Sequence, residues 1–362
     1  MMVFAIAVGL VVFGMLLRLP MRLVAMMLAA LWTAALLAHL LLPGQNPLVL
    51  AIGGNWQSWA ALGAAGAVVL AYRAALGLLR AKAWQSQADD TAKPGSFSAS
   101  ELDRYARHIV LREIGGTGQR QLKSARVLVV GAGGLGSPAL LYLAASGVGT
   151  IGVIDDDEVS NSNLQRQIIH GESDIGRPKV TSAETSMRAL NPFITVKTYR
   201  QRLMRENAAS LFAEYDLILD GSDSFDTRYV VNAAAVASQK PLVSAAISQW
   251  EGQIGFFDTR QGGPCYACIF SEPPEPGLAP SCAEAGVVAP LPGIMGSMMA
   301  LEAVKYLTGA GEVLAGSLLI YDGLWGETRR LSVKRHPDCK ICGSGAAPHG
   351  RQEPLPDLKR NP

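Results

Sequence analysis

The five cysteines of the chain fall in a pattern that could hold a metal ion. Cys265 and Cys268 form one Cys-x-x-Cys pair, and Cys339 and Cys342 form another further along the chain. Two such pairs can supply four thiolates to one tetrahedral zinc ion, and a closed site of this kind is structural because it leaves no open position for a substrate. A redox dithiol is the alternative, but no thioredoxin-like sequence surrounds either pair. Cys282 is left over and chemically free.

A second chemical signal is the glycine-rich segment VLVVGAGGLGSPAL. It places Gly131, Gly133, Gly134 and Gly136 after an apolar run, in the G-x-G-x-x-G pattern that joins a strand to a helix. Such a turn brings unpaired N–H groups at the helix N-terminus close to a phosphate. Asp155 ends the next apolar run, where a carboxylate can accept hydrogen bonds from ribose hydroxyls. The segment therefore predicts a nucleotide site, and taken alone it would also fit an NAD enzyme or a simple tight turn.

The sequence around this turn indicates a more specific chemistry. Five motifs occur in order: RYAR at 104–107, DDDEVSNSNLQRQ at 155–167, GRPK at 176–179, LDGSD at 219–223 and SCAEAGVVAP at 281–290. Together with the paired cysteines, they resemble the ThiF/MoeB/HesA family, the bacterial relatives of ubiquitin-activating enzymes. The resemblance covers residues 98–343 and is strongest to the molybdopterin-synthase adenylyltransferase (MoeB) branch.

The resemblance implies an adenylyltransferase that uses ATP rather than NAD. Its substrate would be the C-terminal glycine of a ubiquitin-like sulfur carrier protein of the MoaD or ThiS type, and pyrophosphate would be released. A terminal carboxyl group has a typical pKa of about 3.3–3.7, so it is ionised at neutral pH and the reaction needs no general base. Catalysis then depends on positioning, and on cations that cancel the repulsion between two anions.

The resemblance also implies roles for particular residues. Asp155 matches the ribose ligand, and Asn163 and Gln167 match residues that help to hold the phosphates. Arg166 and Lys179 match the phosphate-binding cations, although either one alone would suit a solvated surface.

Three further matches concern magnesium, the partner subunit and the carrier. Asp223 matches the carboxylate that binds Mg²⁺, a cation that prefers oxygen ligands; the alternative is a cap for the following helix. Ser224 stands where the family often has asparagine, which leaves the role of that position open. Arg107 matches the arginine that reaches the ATP of the partner subunit, so the resemblance implies a homodimer; a surface arginine is the alternative. Cys282 matches a cysteine that links covalently to the carrier in some relatives and is not required for adenylation in others.

The elements that must position these residues follow a strand–helix alternation. Apolar runs at 126–130, 150–155 and 217–220 predict buried strands with helices between them, which implies a mainly parallel sheet covered on both faces. Ser100 is the predicted N-cap of the first helix. The predicted fold class is therefore a Rossmann-like α/β fold with antiparallel C-terminal strands and a four-cysteine zinc site, preceded by transmembrane helices.

Three apolar runs predict about three membrane spans, since a span needs about 20 apolar residues: 1–17, 23–42, and 59–70 with its extension past Arg73 towards Leu79. Positive charges lie between the first two runs and after the third: Arg18, Arg22, Arg73, Arg80 and Lys82. This pattern predicts an outside N-terminus and an inner-membrane protein whose catalytic domain lies in the cytoplasm. A signal peptide is the alternative, but the first run has no positively charged n-region and is followed by further apolar runs.

Composition adds limits on organisation and partners. The predicted parts are a membrane segment at 1–82, a linker at 83–98, an adenylation domain at 99–343 and a disordered tail at 344–362. The net charge of +2 predicts no nucleic-acid partner, which counts against a family member acting on tRNA. The remaining alternatives are the thiamine branch and a membrane-tethered scaffold that binds a nucleotide without catalysis.

Overall fold

The computed structural model describes residues 2–17, 20–88, 96–275 and 282–343. The chain divides into two compact units, Met1–Thr91 and Ala92–Pro362. The predicted disordered tail at 344–362 lies outside the described residues, as does the middle of the predicted linker.

The first unit is helical. Its helices are α1 (Met2–Leu16), α2 (Met21–Leu41), α3 (Pro47–Ile52) and α4 (Trp56–Ala88). A tryptophan pair joins α2 to α4, because Trp32 Nε1 donates to the Trp59 carbonyl oxygen at 2.9 Å. Gly63 permits the close approach, since a Cβ there would lie 2.0 Å from Trp32 Cζ2. Helix α4 extends six residues into the predicted linker, through the segment AWQSQA, whose alanines and glutamines are good helix formers.

Two described helical segments, Leu23–Leu41 and Trp56–Gly77, are long and apolar enough to cross a bilayer. Helix α1 has 15 residues, which is shorter than the minimum of about 17 for a span. By length and composition, the described helices therefore include two candidates rather than three.

The second unit contains eight strands and eight α-helices among its described residues. The strands are β1 (Arg126–Val130), β2 (Thr150–Ile154), β3 (Thr195–Tyr199), β4 (Leu217–Asp220), β5 (Leu242–Ile247), β6 (Glu251–Phe257), β7 (Ser317–Asp322) and β8 (Glu327–Ser332). The helices are α5 (Ala99–Ile109), α6 (Gly115–Ser124), α7 (Gly136–Ser146), α8 (Lys179–Leu190), α9 (Arg205–Ala213), α10 (Phe225–Ala237), α11 (Cys282–Ala285) and α12 (Pro290–Thr308).

The eight strands form one sheet in the order β3-β2-β1-β4-β5-β6-β7-β8. The first five strands of that order are parallel, and β6, β7 and β8 extend the sheet in antiparallel fashion. The predicted mainly parallel sheet with antiparallel C-terminal strands is confirmed. Strand β1 lies between β2 and β4, so the chain reverses its direction of travel across the sheet at this point. Ligands bind at such reversals, beyond the carboxyl ends of the strands.

Strand β1 shows why these residues form a central strand. Val127 and Val129 pack into the apolar cluster on one face of the sheet, and Leu128 and Val130 pack into the cluster on the other. An apolar run without polar alternation is what burial on both faces requires. The predicted N-cap Ser100 is wrong: Ser98 is the N-cap of α5, because Ser98 and Glu101 form a reciprocal capping box.

Candidate active site

A cleft of about 1100 Å³ lies at the carboxyl ends of β1, β2 and β4. It brings together eight of the residues that the sequence singles out: Gly131, Gly133, Gly134, Asp155, Arg166, Gln167, Lys179 and Asp223. Their elements are separated along the chain, so the sheet assembles them. Gly136, Asn163 and Arg107 do not line the cleft within the described part of the chain.

The glycine turn leads from β1 into α7, and two of its glycines are required by the backbone. Gly131 has a φ of +93°, a backbone conformation that residues with a Cβ rarely adopt. At Gly136 a Cβ would lie 1.9 Å from the Gly131 carbonyl oxygen. Gly133 is different, because its Cβ would meet only Gln167 Nε2, at 3.6 Å. The turn therefore leaves room for a ligand at Gly133, beside the N-terminus of α7.

Gly136→Ala is expected to destabilise the second unit by about 2 kcal/mol or more, because the new methyl group would overlap the Gly131 carbonyl oxygen. That loss corresponds to roughly 4–8 °C in Tm. Thermal unfolding measures it, with Gly133→Ala as the matched control that keeps the wild-type Tm. Equal Tm values for the two variants would contradict the steric explanation.

Asp155 connects the glycine turn to the loop after β2. Its Oδ2 accepts a hydrogen bond from Ala132 N at 2.7 Å, and its Oδ1 accepts one from Asp157 N at 2.8 Å. Burial raises the pKa of this carboxyl group, and the nearby Lys179 charge offsets the effect only in part. Each oxygen keeps a lone pair, so the carboxylate can still accept hydrogen bonds from the two hydroxyls of a ribose.

Lys179 is the first residue of α8, and its side chain is 5% exposed. Its Nζ lies 2.7 Å from Asp157 Oδ2, on a carboxylate side chain that is 66% exposed. A buried ammonium needs an anionic partner. A phosphate that enters the cleft can take the place of this exposed carboxylate. The N-terminus of α8 also stabilises an anion at this position.

Arg166 is held by its own loop. Its guanidinium donates to the Ser162 carbonyl oxygen at 3.2 Å and to Asn163 Oδ1 at 3.1 Å. Asn163 therefore contacts the guanidinium of Arg166 and does not itself line the cleft. Gln167 is 5% exposed, and its buried Oε1 has no hydrogen-bond partner among the described residues. A buried acceptor left in this state suits a ligand that supplies a donor.

The loop after β4 is fixed by a buried ionic network that the sequence analysis missed. Asp220 Oδ1 accepts from Ser222 Oγ at 2.6 Å, and Asp220 Oδ2 lies 3.5 Å from Arg228 Nη1. Arg228 also donates to Ser244 Oγ at 3.1 Å and to the Ser222 carbonyl oxygen. The sequence signal was an aspartate at a strand end with an arginine one turn into the next helix. The network sets the position of the residue that follows, Asp223.

Asp223 is exposed and lines the cleft. It does not cap the following helix, because Ser224 is the N-cap of α10 and its Oγ accepts from Thr227 N at 3.4 Å. The cap alternative for Asp223 is therefore wrong, and Ser224 has a local structural role. A carboxylate at the cleft suits Mg²⁺, which is commonly held by one or two carboxylates together with substrate phosphate.

Two predicted residues remain apart from the cleft or outside the described atoms. Arg107 is exposed on α5, and it is not among the described residues that line the cleft. Cys282 begins α11, but its side chain lies outside the described residues. Glu284 and Ala285, on the same short helix, do line the cleft. The covalent role of Cys282 and the role of Arg107 stay predictions.

The four paired cysteines come together in one cluster, in which Cys268 is half-buried and the other three are buried. The Sγ–Sγ distances are 3.9 Å for Cys265–Cys268, 3.7 Å for Cys265–Cys339 and 3.4 Å for Cys268–Cys342. Bonds of about 2.3 Å to a tetrahedral zinc ion place sulfurs about 3.8 Å apart. Burial, and then the neighbouring thiols, raise the pKa of Cys265, so four thiolates here need a cation. The donor set and its spacing fit a tetrahedral metal.

His170 also escaped the sequence analysis. Its Nε2 lies 2.9 Å from the Ala132 carbonyl oxygen, and its Nδ1 lies 2.8 Å from Ser182 Oγ. The ring therefore ties the glycine turn to α8. Burial lowers the pKa of His170, although the Ala132 carbonyl favours the protonated ring.

His170 is expected to make folding less favourable in mild acid. Its pKa is depressed in the folded chain, so the unfolded chain binds a proton first as pH falls through about 6.5, and stability drops. His170→Gln keeps a donor for Ala132 and should reduce the difference in urea-unfolding free energy between pH 7.5 and pH 5.5. An unchanged difference would contradict this.

Comparisons with known proteins identify the family of the chain. The profile of the ThiF family matches residues 105–341. The chain is 51% identical over 251 residues to the sulfur carrier protein adenylyltransferase of Thermus thermophilus, covering 68% of this chain and 93% of the relative. It is 46% identical over 250 residues to the SAMP-activating enzyme E1 of Haloferax volcanii, covering 69% and 92%.

Another relative is longer, and a solved structure shares the fold. The probable adenylyltransferase/sulfurtransferase MoeZ of Mycobacterium tuberculosis is 51% identical over 245 residues, which are 67% of this chain but only 62% of MoeZ. The crystal structure of E. coli MccB with MccA-N7isoASN has a TM-score of 0.60 at 23% identity, covering 66% of this chain and 74% of MccB. Because the family profile covers more than half of the chain and relatives are about 50% identical to it, the chain is a member of the ThiF family.

Proposed function

We propose that this chain adenylates the C-terminal carboxylate of a ubiquitin-like sulfur carrier protein. Support comes from the cleft and from the names of the relatives that cover the second unit, above all the sulfur carrier protein adenylyltransferase. In the step, a carboxylate oxygen forms a bond to the α-phosphorus of ATP. The bond from that phosphorus to the bridging oxygen breaks, and pyrophosphate leaves with the electron pair.

The residues of the cleft supply position and charge for this step. Asp155 would hold the ribose, and Lys179 and Arg166 would neutralise the phosphates. Asp223 would hold Mg²⁺, which supplies further positive charge to the leaving pyrophosphate when bound. The observation that carries the proposal is the buried ammonium of Lys179, because its partner is an exposed carboxylate that a phosphate can replace.

Pyrophosphate exchange tests the reaction. Labelled pyrophosphate should enter ATP only when a carrier with a free C-terminal glycine is present, since exchange requires a reversible acyl-adenylate. A MoaD-type carrier is the expected partner, for molybdopterin synthesis, and exchange with a ThiS-type carrier alone would instead assign the chain to thiamine synthesis. No exchange with any carrier would favour a nucleotide-binding scaffold.

The metal of the cysteine cluster is proposed to be zinc, held by Cys265, Cys268, Cys339 and Cys342. Its role is structural, since four protein ligands close a tetrahedral site. The spacing of the sulfurs supports this assignment.

We also propose that the active form is a homodimer in which Arg107 serves the partner's cleft. Its exposure on α5, away from the cleft of its own chain, is consistent with that role. Arg107→Ala and Lys179→Met should each show strongly reduced exchange alone, yet mixed subunits should recover exchange, because one of the two sites in a mixed dimer then contains both side chains. Failure of the mixture to recover would place Arg107 in its own subunit's function.

A membrane location is proposed for the first unit, with the second unit in the cytoplasm at the inner membrane. The segments Leu23–Leu41 and Trp56–Gly77 support it by length and composition. Deleting residues 1–82 should release a soluble enzyme from the membrane fraction. Release of the full-length chain by salt alone would contradict a spanning segment.

A further inference from the structure

Helix α10 touches both the nucleotide cleft and the cysteine cluster. Ser224 caps it at the cleft, and Asn232 lies two turns further on, 1% exposed. Asn232 had no role in the sequence analysis. In the fold, its buried amide lies beside the metal-binding thiols.

The amide of Asn232 has a fixed orientation. Its Oδ1 accepts from the backbone N–H of Tyr266 at 2.9 Å, and its Nδ2 lies 3.7 Å from Cys265 Sγ. Because only an oxygen can accept from the Tyr266 N–H, the NH₂ group must face the sulfur. The side chain therefore donates a hydrogen bond to a metal-binding thiol.

That donor has an electrostatic purpose. A divalent cation with four thiolates carries a net charge of about −2, and Cys265 is fully buried. Donors to ligand atoms stabilise such excess charge. The backbone N–H of His336 provides a second one, 3.4 Å from Cys268 Sγ.

The same helix carries Arg228, four residues before Asn232. Residues at this spacing lie on one face of a helix. Arg228 holds the turn after β4 through Asp220 and the Ser222 carbonyl oxygen. One face of α10 is thus fixed to the metal cluster at one point and to the turn that carries Asp223 at another.

We propose that Asn232 is a hydrogen-bond donor that retains zinc at the cluster, and that α10 couples metal occupancy to the position of Asp223 in the cleft. Asn232 is a positioning residue, and the proposal rests on the zinc assignment made above. It assigns the zinc centre an influence on nucleotide binding, beyond holding the C-terminal segment in place.

The test measures zinc release and ATP affinity in the full-length, zinc-loaded protein. Asn232→Asp keeps an acceptor for Tyr266 but turns a carboxylate toward the thiolates. Release to an excess of a colorimetric chelator should become about 10–100 times faster, and the Kd for ATP should rise several-fold. Asn232→Ser, which replaces the amide donor with a shorter hydroxyl and adds no charge, should give a smaller change in the same direction and serves if the aspartate variant does not fold.

Tyr229→Phe is the matched control. It lies on the same helix and loses one hydrogen bond, from its hydroxyl to the Phe270 carbonyl oxygen at 3.0 Å; among the described residues that hydroxyl makes no hydrogen bond to a sulfur. It should keep wild-type zinc release and ATP affinity. If both Asn232 variants release zinc no faster than this control, the donor role is overturned. Faster release with unchanged ATP affinity overturns the coupling.

Elemental analysis of the wild-type protein separates this proposal from the ones it rests on. About one zinc per chain supports the assignment. Protein isolated without zinc, and unable to bind it, would overturn both the assignment and the donor role. The proposed adenylation would stand or fall separately, by pyrophosphate exchange.

Discussion

Replacing Cys339 and Cys342 with serine together is expected to lower the Tm of the second unit by more than about 10 °C and to abolish zinc binding. The cluster joins the C-terminal segment to the middle of the domain through sulfurs 3.4–3.9 Å apart. Structural zinc contributes on the order of 10–16 kcal/mol in small peptides. Loss of about 5 kcal/mol would already shift Tm by roughly 10–20 °C. Differential scanning calorimetry and elemental analysis measure the two effects.

A conservative change provides the control for this prediction. Cys342→His replaces one zinc ligand with another. This variant should therefore bind much of the zinc and keep most of the stability that the double serine variant loses. A double serine variant that unfolds at the wild-type temperature would show that the cluster contributes little to folding.

Lys179→Met is expected to reduce pyrophosphate exchange about a hundredfold or more. Methionine keeps most of the volume of this buried side chain but removes the charge that opposes the phosphates. Removing one such preorganised group typically costs 10²–10³ in rate, as an order of magnitude. Exchange at saturating ATP and carrier measures the effect on the chemical step.

Lys197→Met tests whether any lost lysine would do the same. Lys197 lies on β3 and makes an exposed ion pair with Glu214 at 2.8 Å. Exposed ion pairs contribute about 0–1 kcal/mol to folding stability. This variant should retain normal exchange. Near-normal exchange in Lys179→Met would contradict the role assigned to the ammonium.

The parallel half of the fold could be predicted because its strands are buried on both faces. Runs such as RVLVV carry that information within five residues. Strand β8 could not be predicted, since its segment ETRRLS is exposed throughout and forms only through pairing with β7. Helix α6 was also missed, because three glycines in GGTGQRQLKS weaken the helix signal. Its buried Gln119 and Leu122 compensate through tertiary contacts.

The candidate site also contains residues that could be predicted from the sequence and residues that could not. The glycine turn, Asp155 and Lys179 lie in compact motifs whose spacing is visible in the sequence, and the cleft brings them together. The supporting groups are different, because Arg228, His170 and Asn232 act through partners far along the chain. Only the folded sheet shows that Arg228 meets Ser244, or that Asn232 meets Cys265. The functional roles of the cleft residues stay predictions until they are measured.

The central claim is that cations in this cleft let a terminal carboxylate attack ATP. Mass spectrometry of the carrier tests this claim most directly. Carrier incubated with ATP and the wild-type protein should gain an adenylate at its C-terminal glycine. With the double variant Arg166→Gln and Lys179→Met, shown to be folded by its wild-type Tm, the adduct should be absent. Equal amounts of the adduct with the two proteins would contradict the account.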